Sequence, residues 1–337
     1  MLGLLARVAI PGKAGYDQFM AGRSKKIMLL VHPQFRPDRA GALGTERDVW
    51  RGLKRLGWTV QVAAARDNLR DFDKELAAFQ PAVVFNLLEE FRGEAVFDFH
   101  LVAYLEALGV PFTGCNPRGL VQSRNKDLCG RLAASLGIAV PRGGLVGTPG
   151  LKFPVFVKLN REHASLGIQA SNLVRDGREL QREVRRLRAK YGGEILAQEF
   201  ISGHDVSVAV WGNARAEVLD PRRFDVSGMD RVATERLKFS AHMQKRRRAR
   251  SNPYKGAAVR SIRGVAGLIF SALDMSGYAR MDFRVTESHE AFLIDVNANP
   301  NLARDEDFSL SARARGWNYG ETLRRITDLA LRYRPRV

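Results

Sequence analysis

The sequence predicts an α/β protein of several domains, in which a parallel-sheet domain is followed by two further units of mixed helices and strands. A chain of 337 residues is longer than one ordinary hydrophobic core requires, which indicates two or three domains. Its 45% hydrophobic and 9% aromatic residues are typical of globular proteins and exclude an intrinsically disordered chain. From residue 27 onward, short apolar runs alternate with helical patterns, and this alternation favours parallel strands covered by helices.

The first predicted domain covers residues 26–116 and follows an N-terminal extension over residues 1–25. Its apolar runs are three predicted strands, at 27–31, 59–65 and 82–86. Its first predicted helix opens with Thr45 as N-cap and is closed by Gly57. Two further helices are predicted near 71–79 and near 95–108. The segment 110–117 is the predicted boundary with the next domain.

The second and third predicted domains cover residues 117–203 and 204–337. The second begins with a predicted helix at 124–137 and has predicted strands at 153–160, 167–174 and 194–201. The third has predicted strands at 204–212, 278–285 and 290–296. It also has a helix with Ile262 and Ile269 on one side, a last helix near 320–332 and a long basic loop over about 220–256.

Lysine and arginine outnumber aspartate and glutamate by 54 to 36, which gives a formal net charge of +18. Such a charge attracts polyanions, among them nucleotides, nucleic acid, anionic membranes and acidic peptides. A solvated, arginine-rich surface explains the same composition. We favour this interpretation because net charge alone is informative about solubility and not about function. Nucleic acid is therefore not an expected partner.

Three further features predict a cytoplasmic protein without a membrane association. No apolar run approaches the ~20 residues that span a bilayer. The N-terminal stretch MLGLLARVAIPGK is too short for a signal peptide and is interrupted by Arg7. Cys115 and Cys129 form neither a CxxC pair nor a metal-ligand spacing, which favours buried thiols in a reducing compartment.

Two predicted strands near the C-terminus carry the strongest candidate site. Side chains alternate along a strand, so Arg280, Asp282 and Arg284 share one face of the first strand. If the strands pair as a hairpin, Asp282 faces Asp295 and Asn297, and these oxygens suit Mg²⁺. The simpler alternative is a solvent-facing Asp282 beside an ordinary turn, NANPN. The spacing of both strands and the nearby Arg280 favour the metal site.

A metal site for a nucleotide also requires cations on the phosphate side. Lys158 ends a predicted strand and precedes a polar loop with Ser165 and Gly167, which can donate backbone N–H groups to phosphates. Lys126, at a helix start, is a second candidate. Taken singly, each lysine is equally well explained as a solvated surface residue.

The order of these motifs along the chain resembles the ATP-grasp ligases. The motifs are Lys126, then Lys158 with its small-residue loop, then QEFISGHDVSVAV, and then ARMDFRV followed by AFLIDVNANP. Among these ligases the chain resembles the D-alanine–D-alanine ligase family most, over nearly its whole length past about residue 26. The resemblance implies a three-domain ATP-grasp fold in which the two C-terminal subdomains hold the nucleotide between them. It implies ATP and Mg²⁺ as cofactors, with two ions and with Mn²⁺ as a substitute.

The resemblance also implies a role for each matching residue. The residues that hold the ATP phosphates are Lys126, Lys158, Ser165 and Gly167. Those along the adenine and ribose are Gln198, Glu199, Phe200, Ile201 and Asp205. The metal ligands are Asp282, Asp295 and Asn297. The implied catalytic residues are Arg280 for the oxyanion, Lys238 for the γ-phosphate, Ser165 of the phosphate loop, and Glu46 for the amino group of the first substrate.

The implied reaction is ATP-dependent formation of a peptide or amide bond through an acyl phosphate, with release of ADP and phosphate. Transfer of the γ-phosphoryl group activates a carboxylate, and an amine then attacks it. Both steps develop negative charge, which fixed cations and metal ions stabilise. A catalytically silent scaffold that binds polyanions or nucleotides is the alternative, although it has no need of metal ligands.

Several positions depart from the family's pattern. Ala164 and Phe239 stand where the family has a serine and a tyrosine that contact the acid matched by Glu46. Asn301 replaces a glycine, and no serine follows it in NLARDEDF. These departures favour amino acids or a peptide other than two D-alanines, with an acidic peptide or protein terminus as a second candidate substrate. D-alanine–D-alanine ligase of cell-wall synthesis stays an alternative, and a homodimer is an open expectation.

Overall fold

The computed structural model describes residues 25–39, 44–65, 69–162, 166–224 and 251–335. Three separate sheets organise these residues, one parallel and two antiparallel. This mixed α/β architecture confirms the predicted fold class. Each sheet lies within one predicted domain, although the domain bounds themselves stay predictions. Over the described ranges, no helix combines the length and apolar content needed to cross a membrane.

The N-terminal sheet is parallel, in the order β2–β1–β3. Its strands are β1 (Lys26–Val31), β2 (Thr59–Ala64) and β3 (Val83–Asn86). Its helices are α1 (Thr45–Arg55), α2 (Leu69–Phe79) and α3 (Asp98–Ala107). Leu29 and Leu30 point into two different hydrophobic clusters, because successive side chains face opposite sides of the sheet. Burial on both faces explains why β1 is a continuous apolar run.

The middle sheet is antiparallel, in the order β4–β7–β5–β6. Its strands are β4 (Gly143–Leu145), β5 (Val155–Leu159), β6 (Leu173–Val174) and β7 (Ile195–Glu199). Two helices precede it, α4 (Pro117–Arg124) and α5 (Lys126–Ser135), and α6 (Gly177–Tyr191) packs on it. The contact between α6 and the sheet buries Val184 and Leu187, as the helical spacing predicts.

The third sheet is antiparallel, in the order β11–β10–β8–β12–β13, with β9 paired to β8. Its strands are β8 (His204–Gly212), β9 (Ala216–Val218), β10 (Arg222–Phe224), β11 (Ser251–Pro253), β12 (Gly277–Val285) and β13 (Ala291–Asn297). Its helices are α7 (Val259–Ala272), α8 (Asp307–Ala314) and α9 (Tyr319–Arg332). The central strands β8 and β12 bury Val208 and Met281 completely, so the sheet is a rigid base for side chains on its other face.

The structure corrects two predictions at the ends of helices. Thr45 is not the N-cap of α1, because Gly44 occupies that position with φ of 96°. The Thr45 hydroxyl instead donates to Asn301 Oδ1 over 2.6 Å, in the third domain. The predicted helix at 124–137 is wrong at its start, because Asn125 separates α4 from α5 and caps α5.

One strand prediction also needs correction. Most of the predicted strand at 167–174 is not extended, because residues 170–172 form a 3₁₀ turn and only β6 pairs. The segment 110–117 is hydrogen-bonded to the N-terminal sheet, and the domain boundary predicted there stays a prediction. Val84 N–H donates to the Pro111 carbonyl over 2.8 Å, and Thr113 N–H donates to the Val84 carbonyl over 3.0 Å.

Gly277, at the start of β12, permits a close approach of two chain segments. Its φ is +73°, and a Cβ atom there would lie 1.9 Å from the Gly114 carbonyl oxygen. We expect Gly277→Ala to lower the free energy of unfolding by about 3 kcal/mol, because backbone must move and the conformation is strained. Gly264→Ala in α7 is the matched control, since a Cβ there meets no atom within 4 Å. It should raise stability by about 0.5–1 kcal/mol. Equal denaturant midpoints for the two variants would contradict this account.

Candidate active site

The predicted metal ligands lie together at one corner of the third sheet. β12 and β13 pair as the predicted hairpin, which places Asp282 opposite Asp295 and Arg280 opposite Asn297. The register shifts after Asp282, because Phe283 pairs with Leu293 and leaves Ile294 as an extra residue. The Ile294 carbonyl accepts a hydrogen bond from Lys158 Nζ over 3.0 Å. The bulge therefore ties this corner to the middle sheet.

Arg280 and Asp282 form a bidentate ion pair on the face of β12 that points into the site. The Nε and Nη2 atoms of Arg280 each donate to one oxygen of Asp282 over 2.8 Å. Burial opposes the charge of Arg280, but the Asp282 carboxylate outweighs it and raises the pKa of the guanidinium. The pair holds both side chains in fixed orientations, so a cation and a carboxylate are aligned beside Asp295.

Lys126 reaches the same corner from the start of α5. The helix begins there because the Asn125 side chain caps it, accepting from Leu128 N–H over 3.0 Å. Asn160, at the end of β5, accepts from Asp127 N–H over 2.9 Å and so fixes the helix against the strand. Lys126 Nζ lies 3.6 Å from Asp295 Oδ1 and donates to the Glu162 carbonyl.

Lys158 lies on β5, where the charges of Lys126, Asp295 and Asp282 act on it. The surrounding protein removes water from its ammonium group and lowers the pKa of Lys158 to about 8, while Asp295 opposes the shift and Lys126 adds to it. Two lysines and two carboxylates therefore meet in a partly desolvated space. A bound phosphate with its metal ion would give both sets of charges additional partners.

A solvent-open recess lies beside these residues, between α5 and β13, and its empty space including solvent is about 300 Å³. Its lining comprises Ser123, Lys126, Cys129, Gly130, Gln198 and residues 293–296. The structure thus brings Gln198, on β7, to the same recess as Lys126 and Asp295. Cys129 and Cys115 are buried free thiols, as the sequence predicts.

The remaining residues predicted along the nucleotide gather around Arg284, for which the sequence indicated no role. Arg284 Nη1 donates to Asp205 Oδ1 over 2.6 Å, and its Nε donates to the Ile201 carbonyl over 3.2 Å. Its guanidinium stacks on the Phe200 ring, 5.2 Å from the centroid. Glu199 points elsewhere, because its Oε1 accepts from Lys152 N–H over 2.9 Å. Arg284 therefore fixes the connection between the middle and third sheets.

The predicted phosphate loop is described only at its end. Gly167 has φ of +74°, and its carbonyl accepts from Arg186 Nη2 over 3.0 Å. Other predicted features lie outside the described residues: Ala164, Ser165, Lys238, Phe239, residues 1–24 of the N-terminal extension and residues 225–250 of the basic loop. The roles of Ser165 and Lys238 stay predictions.

Two glutamates of the N-terminal domain lie close enough for the charge of one to act on the other. Glu46 lies in the first turn of α1, and desolvation raises its pKa. Glu89 follows the carboxyl end of β3. Its side chain reaches solvent, but protein surrounds it on other sides. Desolvation, reinforced by the charges of Glu46 and Asp98, raises the pKa of Glu89 to about 7. The sequence indicated no role for Glu89, although ligands commonly bind at the carboxyl ends of parallel strands.

The Glu89 carboxylate is expected to destabilise the folded protein at alkaline pH. Its pKa is higher in the folded than in the unfolded chain, so its favourable contribution is lost as the pH rises from about 4.5 to about 7. Glu89→Gln should therefore raise the free energy of unfolding at pH 8 by about 1 kcal/mol, a value discounted for solvent screening, and by little at pH 4.5. Urea unfolding at both pH values measures this, with Glu90→Gln as the neighbouring control. A pH-independent effect of Glu89→Gln would contradict it.

The donor set at the corner fits magnesium rather than zinc. In the part of the chain that the structure describes, no three or more His, Cys, Asp or Glu side chains form a group that could hold a metal ion. Magnesium is usually held by one or two carboxylates, with phosphates and water completing its shell. Asp282, Asp295 and Asn297 meet that requirement, provided that a nucleotide supplies the remaining ligands.

Comparisons with known proteins agree with this geometry. Residues 148–328 match the family model for the D-ala D-ala ligase C-terminus. The uncharacterized protein y4sG of Sinorhizobium fredii is 32% identical over 74% of this chain and 75% of its own length. The D-alanine–D-alanine ligase of Aquifex aeolicus is 25% identical over 84% of this chain and 93% of its own.

Two solved structures share the fold. The D-alanine–D-alanine ligase of Bacillus anthracis, in complex with ATP, superposes with a TM-score of 0.69 over 91% of this chain and 97% of its own, at 17% identity. The VanG D-Ala:D-Ser ligase of Enterococcus faecalis gives a TM-score of 0.68 over 91% of this chain and 100% of its own, at 18% identity. The family model covers more than half of the chain. The chain therefore belongs to the D-alanine–D-alanine ligase family of ATP-grasp enzymes, which are ligases.

Proposed function

We propose that this ligase couples ATP hydrolysis to the formation of a peptide or amide bond, through an acyl phosphate, with release of ADP and phosphate. The observation that carries the proposal is one corner of the third sheet. Asp282 lies opposite Asp295 on the neighbouring strand there, and Lys126 and Lys158 approach from the middle domain. The two lysines, together with a metal ion that the carboxylates would hold, could neutralise transferring phosphoryl groups from two sides, which is the main task in phosphoryl transfer.

Asp282, Asp295 and Asn297 would hold Mg²⁺, with two ions proposed and Mn²⁺ as a substitute. When bound, the metal would supply positive charge to the phosphate oxygens. Lys126 and Lys158 would bind the phosphates themselves. Arg280, held by Asp282, would stabilise the oxyanion that forms when the amine attacks the activated carboxyl group.

The other proposed contacts concern the nucleoside and the amine. Gln198 and the backbone around Ile201 would lie along the adenine, and Asp205 would contact the ribose hydroxyls. Arg284 would position Asp205 and Ile201 rather than touch the nucleotide. Glu46 would hold the amino group of the first substrate. Lys238 and Ser165 are proposed for the γ-phosphate and the phosphate loop from the family resemblance alone.

The proposed substrates are amino acids or a peptide other than two D-alanines. An acidic peptide or protein terminus is the second proposed substrate, because the basic loop over about 220–256 would attract it. A cytoplasmic location and a homodimer are further proposals.

The test is release of ADP from ATP and Mg²⁺, with and without a pool of amino acids and short peptides. We expect the pool to stimulate ADP release in the native protein. Lys126→Met should reduce the stimulated rate by ~10²-fold, the scale of losing a charge-stabilising group. Lys152→Met, at an exposed lysine in the same domain, should leave it unchanged. Nucleotide binding without any stimulated ADP release would favour the silent scaffold instead.

A further inference from the structure

Arg186, on α6, connects this helix to the chain that follows Lys158. Its Nη2 atom donates to the Gly167 carbonyl over 3.0 Å and to Asn172 Oδ1 over 3.3 Å. Its Nε atom lies 3.0 Å from both carboxylate oxygens of Glu183. One guanidinium therefore bonds to α6, to the Gly167 peptide and to the 3₁₀ turn that contains Asn172. The planar fork of arginine makes such bonds in fixed relative directions.

The Asn172 end of this network reaches β5. Asn172 is completely buried, and its Nδ2 atom donates to the Val157 carbonyl over 2.5 Å. Val157 directly precedes Lys158 in the strand. Successive side chains of a strand face opposite sides, so Val157 packs in the cluster with α6 while Lys158 reaches the Ile294 carbonyl. The network thus links Arg186 to the backbone of the strand that carries Lys158.

Gly167 lies directly against α6. Its φ is +74°, and a Cβ atom there would lie 3.0 Å from Tyr191 and 3.1 Å from Leu187. The carbonyl group and the following N–H group of a trans peptide point in opposite directions. Because Arg186 binds the Gly167 carbonyl from α6, the N–H group of Ile168 points away from the helix. Backbone N–H groups in such loops are donors for phosphates.

Glu183 neutralises the charge of Arg186. The two side chains form an ion pair over 2.5 Å, and they are 5% and 27% exposed, respectively. A guanidinium that is already paired with a buried carboxylate has little charge left for a nucleotide phosphate. Arg186 therefore supplies the orientation of its partners, and not a charge for the phosphates.

We propose that Arg186 is a positioning residue for phosphoryl transfer, which fixes the Gly167 peptide relative to Lys158 so that both act on the same phosphates. This inference rests on the proposed function, because it concerns the nucleotide site of the same ligase. Arg186 does not contact the nucleotide itself. Its loss weakens the contacts with the β- and γ-phosphates and leaves those with the adenosine part unchanged.

The experiment measures how much the β- and γ-phosphates contribute to nucleotide binding by the full chain. Calorimetry with Mg²⁺ gives Kd for AMP and for a non-hydrolysable ATP analogue, and the ratio of the two values isolates that contribution. Removing the arginine alone would leave the buried Glu183 carboxylate without its ion pair and lower stability. The test variant is therefore the double replacement Glu183→Gln and Arg186→Gln, which removes both charges.

We expect the double variant to bind AMP like the native protein and to bind the ATP analogue ~10-fold more weakly, as for one lost charged hydrogen bond. Glu183→Gln alone keeps the arginine and an acceptor oxygen, so it should keep the native ratio. Arg185→Gln, at the exposed neighbouring position, is the matched control and should keep it as well. A thermal melt of each variant shows whether α6 is destabilised.

An unchanged ratio in the double variant would overturn the inference. Equal losses for AMP and for the ATP analogue, or the same loss in Glu183→Gln, would also overturn it, because the network would then only stabilise the domain. The native protein distinguishes a failure of the proposed function. Nucleotide binding without stimulated ADP release would overturn the ligase activity while the ratio still decides the role of Arg186, and binding of neither nucleotide would overturn both.

Discussion

Replacing Asp295 by asparagine is expected to reduce ADP formation by ~10²-fold or more, the scale of losing a group that stabilises transition-state charge. Asp295 lies opposite Asp282, and its Oδ1 is 3.6 Å from Lys126 Nζ. An amide keeps the size of the side chain but removes its charge. A bound metal ion would then lose one of two carboxylate ligands, and Lys126 would lose its ion pair.

The fold should survive Asp295→Asn, because the side chain is 24% exposed at the edge of the cleft. We expect the free energy of unfolding to change by less than about 1 kcal/mol. The Mg²⁺ concentration for half-maximal activity should rise, which separates a ligand from a residue with a purely structural role. Glu290→Gln, in the exposed turn before β13, is the control and should retain native activity. Native ADP formation and an unchanged Mg²⁺ requirement in Asp295→Asn would exclude the metal assignment.

The position of Asp282 opposite Asp295 could be predicted from the sequence because it depends on local rules, while the metal-binding role of these residues stays a prediction. Alternation along two adjacent strands places Asp282, Asp295 and Asn297 on one face, and a short turn between the strands makes them pair. The bulge at Ile294 could not be predicted, since no local signal marks which residue leaves the ladder. The bulge frees the Ile294 carbonyl, which accepts the hydrogen bond from Lys158. The sequence therefore indicated the lysine but not the group that holds it.

Contacts between distant segments were the other part that the sequence could not supply. Threonine is a common N-cap residue, but the Thr45 hydroxyl donates a hydrogen bond to Asn301 in another domain instead. Asn125 splits a predicted helix because its side chain caps α5, whose N–H groups Asn160 also satisfies. The pair of Asp98 and Arg124 joins residues 26 positions apart, and no periodicity relates them. Local propensity therefore identified the elements, while the Asn125 cap and tertiary hydrogen bonds such as that of Thr45 decided where they begin.

The enzyme is expected not to join two D-alanines efficiently. The family resemblance places a serine after the Asn-x-x-Pro motif to bind the carboxylate of the second D-alanine, and no serine occurs in NLARDEDF. In the structure, Asn301 Oδ1 accepts from the Thr45 hydroxyl, and Arg304 lies 3.5 Å from Asp48 and stacks over Tyr319. This segment is thus engaged with α1 and α9 instead of presenting a hydroxyl group.

The first D-alanine should be bound poorly as well. Ala164 and Phe239, both outside the described residues, lack the hydroxyl groups that the family directs at the acid matched by Glu46. Each lost hydrogen bond to an ionised partner weakens binding by about 1.5–3 kcal/mol. A site whose polar groups do not match its ligand can discriminate by up to ~10⁴-fold. We therefore expect kcat/KM for D-alanine alone to lie at least ~10²-fold below that of the best amino acid or peptide.

Phosphate release with D-alanine as the sole amino acid, compared with mixtures of L-amino acids and short acidic peptides, measures this difference. Mass spectrometry of the products is needed as well, because slow hydrolysis of an acyl phosphate also releases phosphate. Restoring one hydroxyl by Ala164→Ser is the informative variant, since it should raise the rate with D-alanine more than the rate with the preferred substrate. Saturable turnover with D-alanine alone, yielding D-alanyl-D-alanine at a rate equal to the best alternative, would contradict the prediction and support a role in cell-wall synthesis.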